Sequence, residues 1–151
     1  MFCFPKRISL SAQNIKVYHK VQVDKLYSFV QNKNKKVWIL YAYCAQTDEI
    51  LALTMGKRSK KTVKDLYKRL KDIQVNLWCT DAWKAFKEVL PKESHLIGKQ
   101  FSKAIEGVNT YLRNACKRLI RRTTAFPKKI YNHWCAVKLV MYHRNLNPSY
   151  I

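Results

Sequence analysis

Three apolar segments separated by short polar turns constrain the fold of this chain more than any other feature. In Lys20–Val30 apolar and polar side chains alternate, which is typical of a strand with one buried face. Val37–Cys44 is apolar on both parities and predicts a central strand, while Ile50–Met55, ending at Gly56, predicts a third. Because such short turns join only antiparallel neighbours, the segments predict an antiparallel meander.

The periodicity becomes helical after Gly56. Ser59 is placed to cap a helix whose apolar residues are Val63, Leu66, Tyr67, Leu70 and Ile73. The next segment, Val75–Thr80, is short and rich in strand-forming residues. A strand reached through a crossover helix usually joins its sheet in parallel, so we expect this one beside the first strand.

The remaining segments predict mainly helices. Ala82–Leu90 forms a short helix ended by Pro91, and Ser94–Ile97 fits a last brief strand. Ser102 is placed to cap a long helix with an apolar stripe of Ile105, Val108, Leu112, Cys116 and Leu119. A final helix ends before Pro148 and carries Ile130, Trp134, Val137 and Met141 at helical spacing. We therefore expect one α/β domain, a mixed sheet flanked by helices over residues 20–151, after a short extension, 1–19.

A large positive charge indicates which class of partner this chain binds. The chain has 30 Lys and Arg against 9 Asp and Glu, a formal charge of +21. Such an excess favours a polyanion, and nucleic acid is the leading candidate. The alternatives are lysines that serve solubility and an anionic membrane surface.

Other whole-chain features narrow the class of protein. The longest apolar run, Val37–Ala45, is too short to span a bilayer, and no signal peptide is evident, so we expect a cytoplasmic, nucleoid-associated protein. Five cysteines without a C-x-x-C pair argue against a disulfide framework or a zinc site. Buried reduced thiols are the expected state of Cys44, Cys79 and Cys116.

Three of the nine acidic residues occupy unusual positions, whereas the other six are interpreted as solvated surface. Asp24 lies inside a hydrophobic strand, Asp81 ends the strand expected beside it, and Glu106 borders the apolar face of the long helix. Three carboxylates converging at one sheet edge would suit Mg²⁺ or Mn²⁺ and phosphodiester chemistry. Taken singly, each has a structural alternative: a salt bridge for Asp24, a helix cap for Asp81 and an intrahelical pair for Glu106.

Basic residues follow Glu106 along the same helix. Arg113 lies two turns beyond Glu106 on the same face, and the run continues with Lys117, Arg118, Arg121 and Arg122. Phosphate contacts are the functional interpretation. A solvated helix end that complements the helix dipole is the alternative.

Several separated motifs together resemble the catalytic region of insertion-sequence-one transposases, of the InsB type. These are VQVDKLYSFV, VWILYAYC, CTDAWKAF, HLIGKQFSKAIEGVNTYLR and KRLIRRT, and the similarity runs from about Lys20 to Arg144. The resemblance implies a ribonuclease H-like fold, three antiparallel strands plus parallel ones, and a DDE triad. It places that triad on Asp24, Asp81 and Glu106, with the short interval of 24 residues between the last two.

The resemblance also implies the activity and partners. They are Mg²⁺-dependent (or Mn²⁺-dependent) cleavage of transposon ends, strand transfer into target DNA, and a homo-oligomer on DNA. The family's later basic residue falls on Arg113 and its late histidine on His133. Family members precede this region with a zinc-binding and helix-turn-helix segment, so an upstream-encoded partner segment is expected.

The sequence departs from the family beside the first aspartate. The usual D-E-x-W is here Asp24-Lys25-Leu26-Tyr27, which replaces an acid with a base. The acid expected two positions before His133 is Tyr131, so a structural histidine is an equal alternative there. A non-catalytic DNA-binding remnant or regulator and a stand-alone ribonuclease H-like nuclease are the competing hypotheses.

Overall fold

A mixed sheet with helices on both faces is the frame of the computed structural model, which describes residues 15–119 and 126–146. Its elements are β1 (Lys16–Val30), β2 (Asn32–Cys44), β3 (Glu49–Gly56), α1 (Lys60–Arg69), β4 (Ile73–Thr80), α2 (Lys84–Val89), β5 (His95–Ile97), α3 (Lys103–Ala115) and α4 (Ile130–Leu146). The strand order is β3-β2-β1-β4-β5. The first three strands are antiparallel, and β4 is parallel to β1, as predicted, while β5 is parallel to β4.

Each face of the sheet has its own apolar core, as strand alternation requires. On one face, Val21 and Val23 of β1 pack with side chains of α1 and α2. On the other, Leu26 of β1 and Tyr41 of β2 pack with side chains of α3 and α4. Successive side chains of β1 therefore face opposite sides of the sheet, and Asp24 lies on the same side as Leu26.

Several element boundaries differ from the sequence expectation. Ile73, expected in the first helix, begins β4 because α1 ends at Arg69, and the helix expected from Ala82 begins at Lys84. Strand β1 begins at Lys16, before the alternation becomes visible, because Lys16 is in register with Ile73 of β4. Helix α3 ends at Ala115, and a 3₁₀ turn over Lys117–Leu119 continues the chain. Leu119 is nevertheless buried, so the predicted apolar stripe is kept although the α-helix is shorter.

The apolar stripe predicted for the last helix is wrong at Ile130, which is 54% exposed. The polar residues His133 and Arg144 are buried instead, together with Val137 and Met141. Arg144 donates from Nη2 to Oδ1 of Asp48 at 2.6 Å, so Asp48 is not simply a solvated turn residue. The inward face of α4 accepts His133 and Arg144 because they find polar partners in β1 and in the turn before β3.

Side-chain exposure confirms the state expected of three cysteines. Cys44, Cys79 and Cys116 are buried free thiols. Within the two described ranges, no helix has the length and apolar character needed to cross a membrane.

Candidate active site

The sheet places Asp24 and Asp81 on adjacent parallel strands. Gln22 of β1 is in register with Cys79 of β4. The same register, continued by two residues, brings Asp24 level with Asp81, which directly follows β4. Both aspartates are partly exposed, so two carboxylates stand at neighbouring positions where β4 ends.

Asp24 is held by neutral donors. Its Oδ1 accepts a hydrogen bond from the Lys25 backbone N–H, and its Oδ2 accepts one from Nδ2 of Asn109 on α3, both at 2.8 Å. The lysine salt bridge considered as an alternative for Asp24 is not the interaction observed. These bonds satisfy a carboxylate that would otherwise be costly inside a hydrophobic strand.

The amide of Asn109 is in turn oriented by Tyr41. The Tyr41 hydroxyl donates to Oδ1 of Asn109 and lies 3.3 Å from the carbonyl oxygen of Ile105. Burial, followed by the charge of Asp24, raises the pKa of Tyr41 well above its usual value, so the hydroxyl remains a donor. With Oδ1 accepting from Tyr41, Nδ2 of Asn109 faces Asp24.

The start of α3 is fixed to β1 by Gln22 rather than by the predicted cap. Oε1 of the buried Gln22 accepts a hydrogen bond from the Ile105 N–H at 2.9 Å. Ser102 occupies the N-cap position but makes no capping bond, and its hydroxyl donates to the Lys99 carbonyl. A side chain two residues before Asp24 therefore satisfies one of the free N–H groups of the helix.

Glu106 lies in the first turn of α3 and is exposed. It is one turn before Asn109, whose amide contacts Asp24, so the helix brings Glu106 to the side of the sheet that carries Asp24. Among the residues the structure describes, no three His, Cys, Asp or Glu side chains are grouped closely enough to hold a metal ion. Asp24 and Asp81 occupy neighbouring positions of the sheet, and Glu106 lies on the helix whose Asn109 contacts Asp24, without joining such a group.

Asp81 contacts a cation of the chain itself. Its Oδ2 is paired with Nζ of Lys25, and its Oδ1 accepts from the Trp83 N–H at 3.1 Å. The second bond is not the helix cap considered as an alternative for Asp81, because Trp83 occupies the N-cap position of α2 and no side chain caps this helix. Lys25 lies on the α2 side of the sheet, so strand alternation separates it from Asp24 and brings it to Asp81 instead.

The donor chemistry of this site fits a divalent cation. Aspartate oxygens from two adjacent strands are the hard ligands that Mg²⁺ and Mn²⁺ prefer. The groups now contacting them, the Asn109 amide and the Lys25 ammonium, carry the partial or full positive charge that such oxygens attract. Asp24, Asp81 and, after side-chain rotation, Glu106 are the residues that could hold the ions.

Of the predicted phosphate-binding residues, Arg113 is the one whose interactions connect it to this site. Arg113 and Lys117 are exposed, and Arg118 is half-buried. Arg113 is close enough to lower the pKa of Tyr41, against the larger effect of burial. Arg121 and Arg122 lie outside the described residues.

His133 has a structural environment. It is fully buried on α4, and its Nε2 is 2.7 Å from the hydroxyl of Ser28 on β1. Burial, with a smaller effect of Arg118, lowers the pKa of His133 to about 4, so the ring is neutral near pH 7. These contacts give His133 a role in joining α4 to β1.

Comparisons with known proteins identify the family of this chain. The sequence model of one family, described as IS1 transposase, matches residues 17–144. This chain belongs to the IS1 transposase family. The insertion element iso-IS1n protein InsB of Shigella dysenteriae is 35% identical over 112 residues, covering 74% of this chain and 86% of that protein. The IS1 2 protein InsB of Escherichia coli strain K12 is 30% identical over 112 residues, covering 74% and 67% respectively.

Solved structures show which fold this IS1-family chain adopts. The HTLV-2 integrase catalytic core domain, in complex with magnesium in a trimeric form, aligns with a TM-score of 0.61 at 14% identity, covering 90% of this chain and 93% of that one. A chain of the simian T-cell lymphotropic virus intasome, in complex with PP2A regulatory subunit B56 gamma, aligns with a TM-score of 0.62 at 14% identity. The alignment covers 91% of this chain but only 52%, about half, of the intasome chain. The fold is therefore ribonuclease H-like, as expected.

Sequence reasoning missed the residues that support the acids. Gln22, Tyr41 and Asn109 connect Asp24 to α3 through buried hydrogen bonds. Thr80, directly before Asp81, is fully buried and bonded to Nε2 of His95 on β5 at 2.6 Å. A polar residue at an inward position of an apolar strand, as at Gln22, was the one available signal.

Proposed function

We propose that this IS1-family chain is the catalytic domain of a DNA transposase that cleaves transposon ends and joins them to target DNA. The carrying observation is the neighbouring placement of Asp24 and Asp81, with Asn109 linking Asp24 to the helix that bears Glu106. The ribonuclease H-like fold and the charge of +21 support a phosphodiester substrate in DNA.

Each residue of the proposed site has a role. Asp24 and Asp81 hold Mg²⁺ or Mn²⁺, and Glu106 completes the coordination. When bound, the ions supply the charge that activates the attacking oxygen and stabilises the leaving one. Asn109 orients the Asp24 carboxylate and Gln22 fixes the start of α3, so that Glu106 is kept within reach.

The basic residues hold the DNA in this proposal. Arg113, Lys117 and Arg118 contact phosphates beside the acids, and Arg121 and Arg122 extend that contact. Water attacks the phosphodiester at the element end and a 3′-hydroxyl leaves. That hydroxyl then attacks a phosphodiester of target DNA, so that a new P–O bond forms and the 3′-oxygen of the target strand is displaced. Function on two element ends calls for a homo-oligomer, together with an upstream-encoded zinc-binding and helix-turn-helix segment for end recognition.

The test is cleavage of a supercoiled plasmid that carries the element's terminal inverted repeats, with Mg²⁺ or Mn²⁺. Wild-type protein should nick at the repeats and yield joined products, and Asp81→Asn should abolish both steps while DNA binding persists. Asp72→Asn, at an exposed position after α1, is the matched control and should keep full activity. An Asp81→Asn variant that still cleaves would refute the role of this residue.

A second candidate function is a DNA-binding regulator without catalysis. It is favoured by the Lys25–Asp81 ion pair and by the lack of a three-carboxylate group among the described residues. A regulator would bind the same plasmid with a steep salt dependence and show no metal-dependent nicking. A stand-alone nuclease would nick without producing joined strands.

A further inference from the structure

Lys25 is a nearly buried cation within the proposed catalytic site. Its side chain is 11% exposed, and Nζ is paired with Oδ2 of Asp81. The sheet does not require a basic side chain at the position of Lys25, because a strand residue that faces aromatic rings can be apolar.

Aromatic rings hold the ammonium group in place. Nζ of Lys25 lies 5.3 Å from the ring centroid of Trp83 and 5.6 Å from that of Phe86. Cation–π attraction of this kind strengthens as the cation loses water. Because the backbone N–H of Trp83 also donates to Oδ1 of Asp81, both oxygens of this carboxylate accept hydrogen bonds from groups of the chain.

We propose that Lys25 is an internal counterion that a divalent cation must displace from Asp81, and that it thereby sets the metal affinity of the site. This inference rests on the proposed function. Asp24 differs because its donors are neutral amides, which offer no charge repulsion to an incoming cation. An ammonium group and Mg²⁺ cannot share Oδ2 of Asp81 without strong repulsion, so metal binding requires the lysine to move.

The first test is calorimetric titration of the whole chain with MnCl₂. Lys25→Met keeps an unbranched side chain against Trp83 and Phe86 but removes the charge. We expect it to bind Mn²⁺ about tenfold more tightly than wild type, a gain moderated by the partial exposure of Asp81. Lys61→Met removes one charge at an exposed position of α1 and should leave the affinity unchanged.

The second test uses the wild-type chain, so it stands even if Lys25→Met does not fold. The rate at which acetic anhydride labels each lysine is measured by mass spectrometry with and without saturating MnCl₂. Labelling of Lys25 should rise severalfold when the metal is added, because its ammonium leaves Asp81. Lys16, which is paired with Glu49, is the internal control and should not respond.

The outcomes separate this proposal from the proposed function. Equal Mn²⁺ affinity of wild type and Lys25→Met, or an equal gain in Lys61→Met, overturns the role of Lys25 alone. Unchanged labelling of Lys25 at saturating Mn²⁺ does the same. Absence of Mn²⁺ binding in both wild type and Lys25→Met overturns the metal site as well.

Discussion

Replacing Asn109 with alanine tests the hydrogen-bond network that joins Asp24 to α3. The side chain of Asn109 is buried and makes two hydrogen bonds, one donated to the Asp24 carboxylate and one accepted from the Tyr41 hydroxyl. A bond to a charged group contributes about 1.5–3 kcal/mol and a neutral one about 0.5–1.5 kcal/mol. Tyr41 keeps the Ile105 carbonyl as an acceptor, so we expect the free energy of unfolding to fall by about 2–4 kcal/mol.

The assay is urea unfolding followed by circular dichroism at constant pH. Asn114→Ala changes an exposed residue of the same helix and should alter the free energy of unfolding by less than about 0.5 kcal/mol. A double-mutant cycle with Tyr41→Phe should show coupling of about 1 kcal/mol between the two side chains. If Asn109→Ala were as stable as Asn114→Ala, the argument that this network positions Asp24 would be refuted.

Two further predictions concern His133 and a pair of glycines. Because burial lowers the pKa of His133 to about 4, the unfolded chain binds more protons between that value and about pH 6.5; stability should fall by up to about 3 kcal/mol as the pH drops through this window. In urea unfolding at several pH values, His133→Gln should lose this dependence, and an unchanged slope would contradict the assignment. Gly98 has φ 149°, and an added Cβ would meet Gln100, so Gly98→Ala should cost about 1–3 kcal/mol. Gly107→Ala, in open space on α3, should stabilise by about 0.5–1 kcal/mol. In calorimetry, a higher melting temperature for Gly98→Ala or a lower one for Gly107→Ala would contradict the corresponding prediction.

The strands and the acids were predictable because their signals are local. Alternation in β1 and the two-sided apolar run in β2 follow directly from the faces those strands bury. Asp24 could be singled out because a carboxylate inside an apolar strand is costly and needs a reason. The crossover rule then placed β4, and with it Asp81, beside β1.

The partners of those acids could not be predicted, because they depend on packing between distant segments. Asn109 is 85 residues from Asp24, and Asp81 is 56 residues from Lys25. Strand alternation correctly predicted that Lys25 and Asp24 point to opposite faces. It could not predict the turn after β4 that brings Asp81 towards Lys25. Gln22 was missed as the cap of α3 because capping signals are sought near the helix itself, where Ser102 stands.

The central claim is that Asp24, Asp81 and Glu106 together bind the catalytic ions. Crystals of the chain soaked in MnCl₂, measured for anomalous scattering of manganese, test it most directly. We expect an anomalous peak between the carboxylates of Asp24 and Asp81, with Glu106 rotated to join them and Lys25 withdrawn from Asp81. Manganese found only elsewhere on the surface, with the Lys25–Asp81 pair intact, would contradict it.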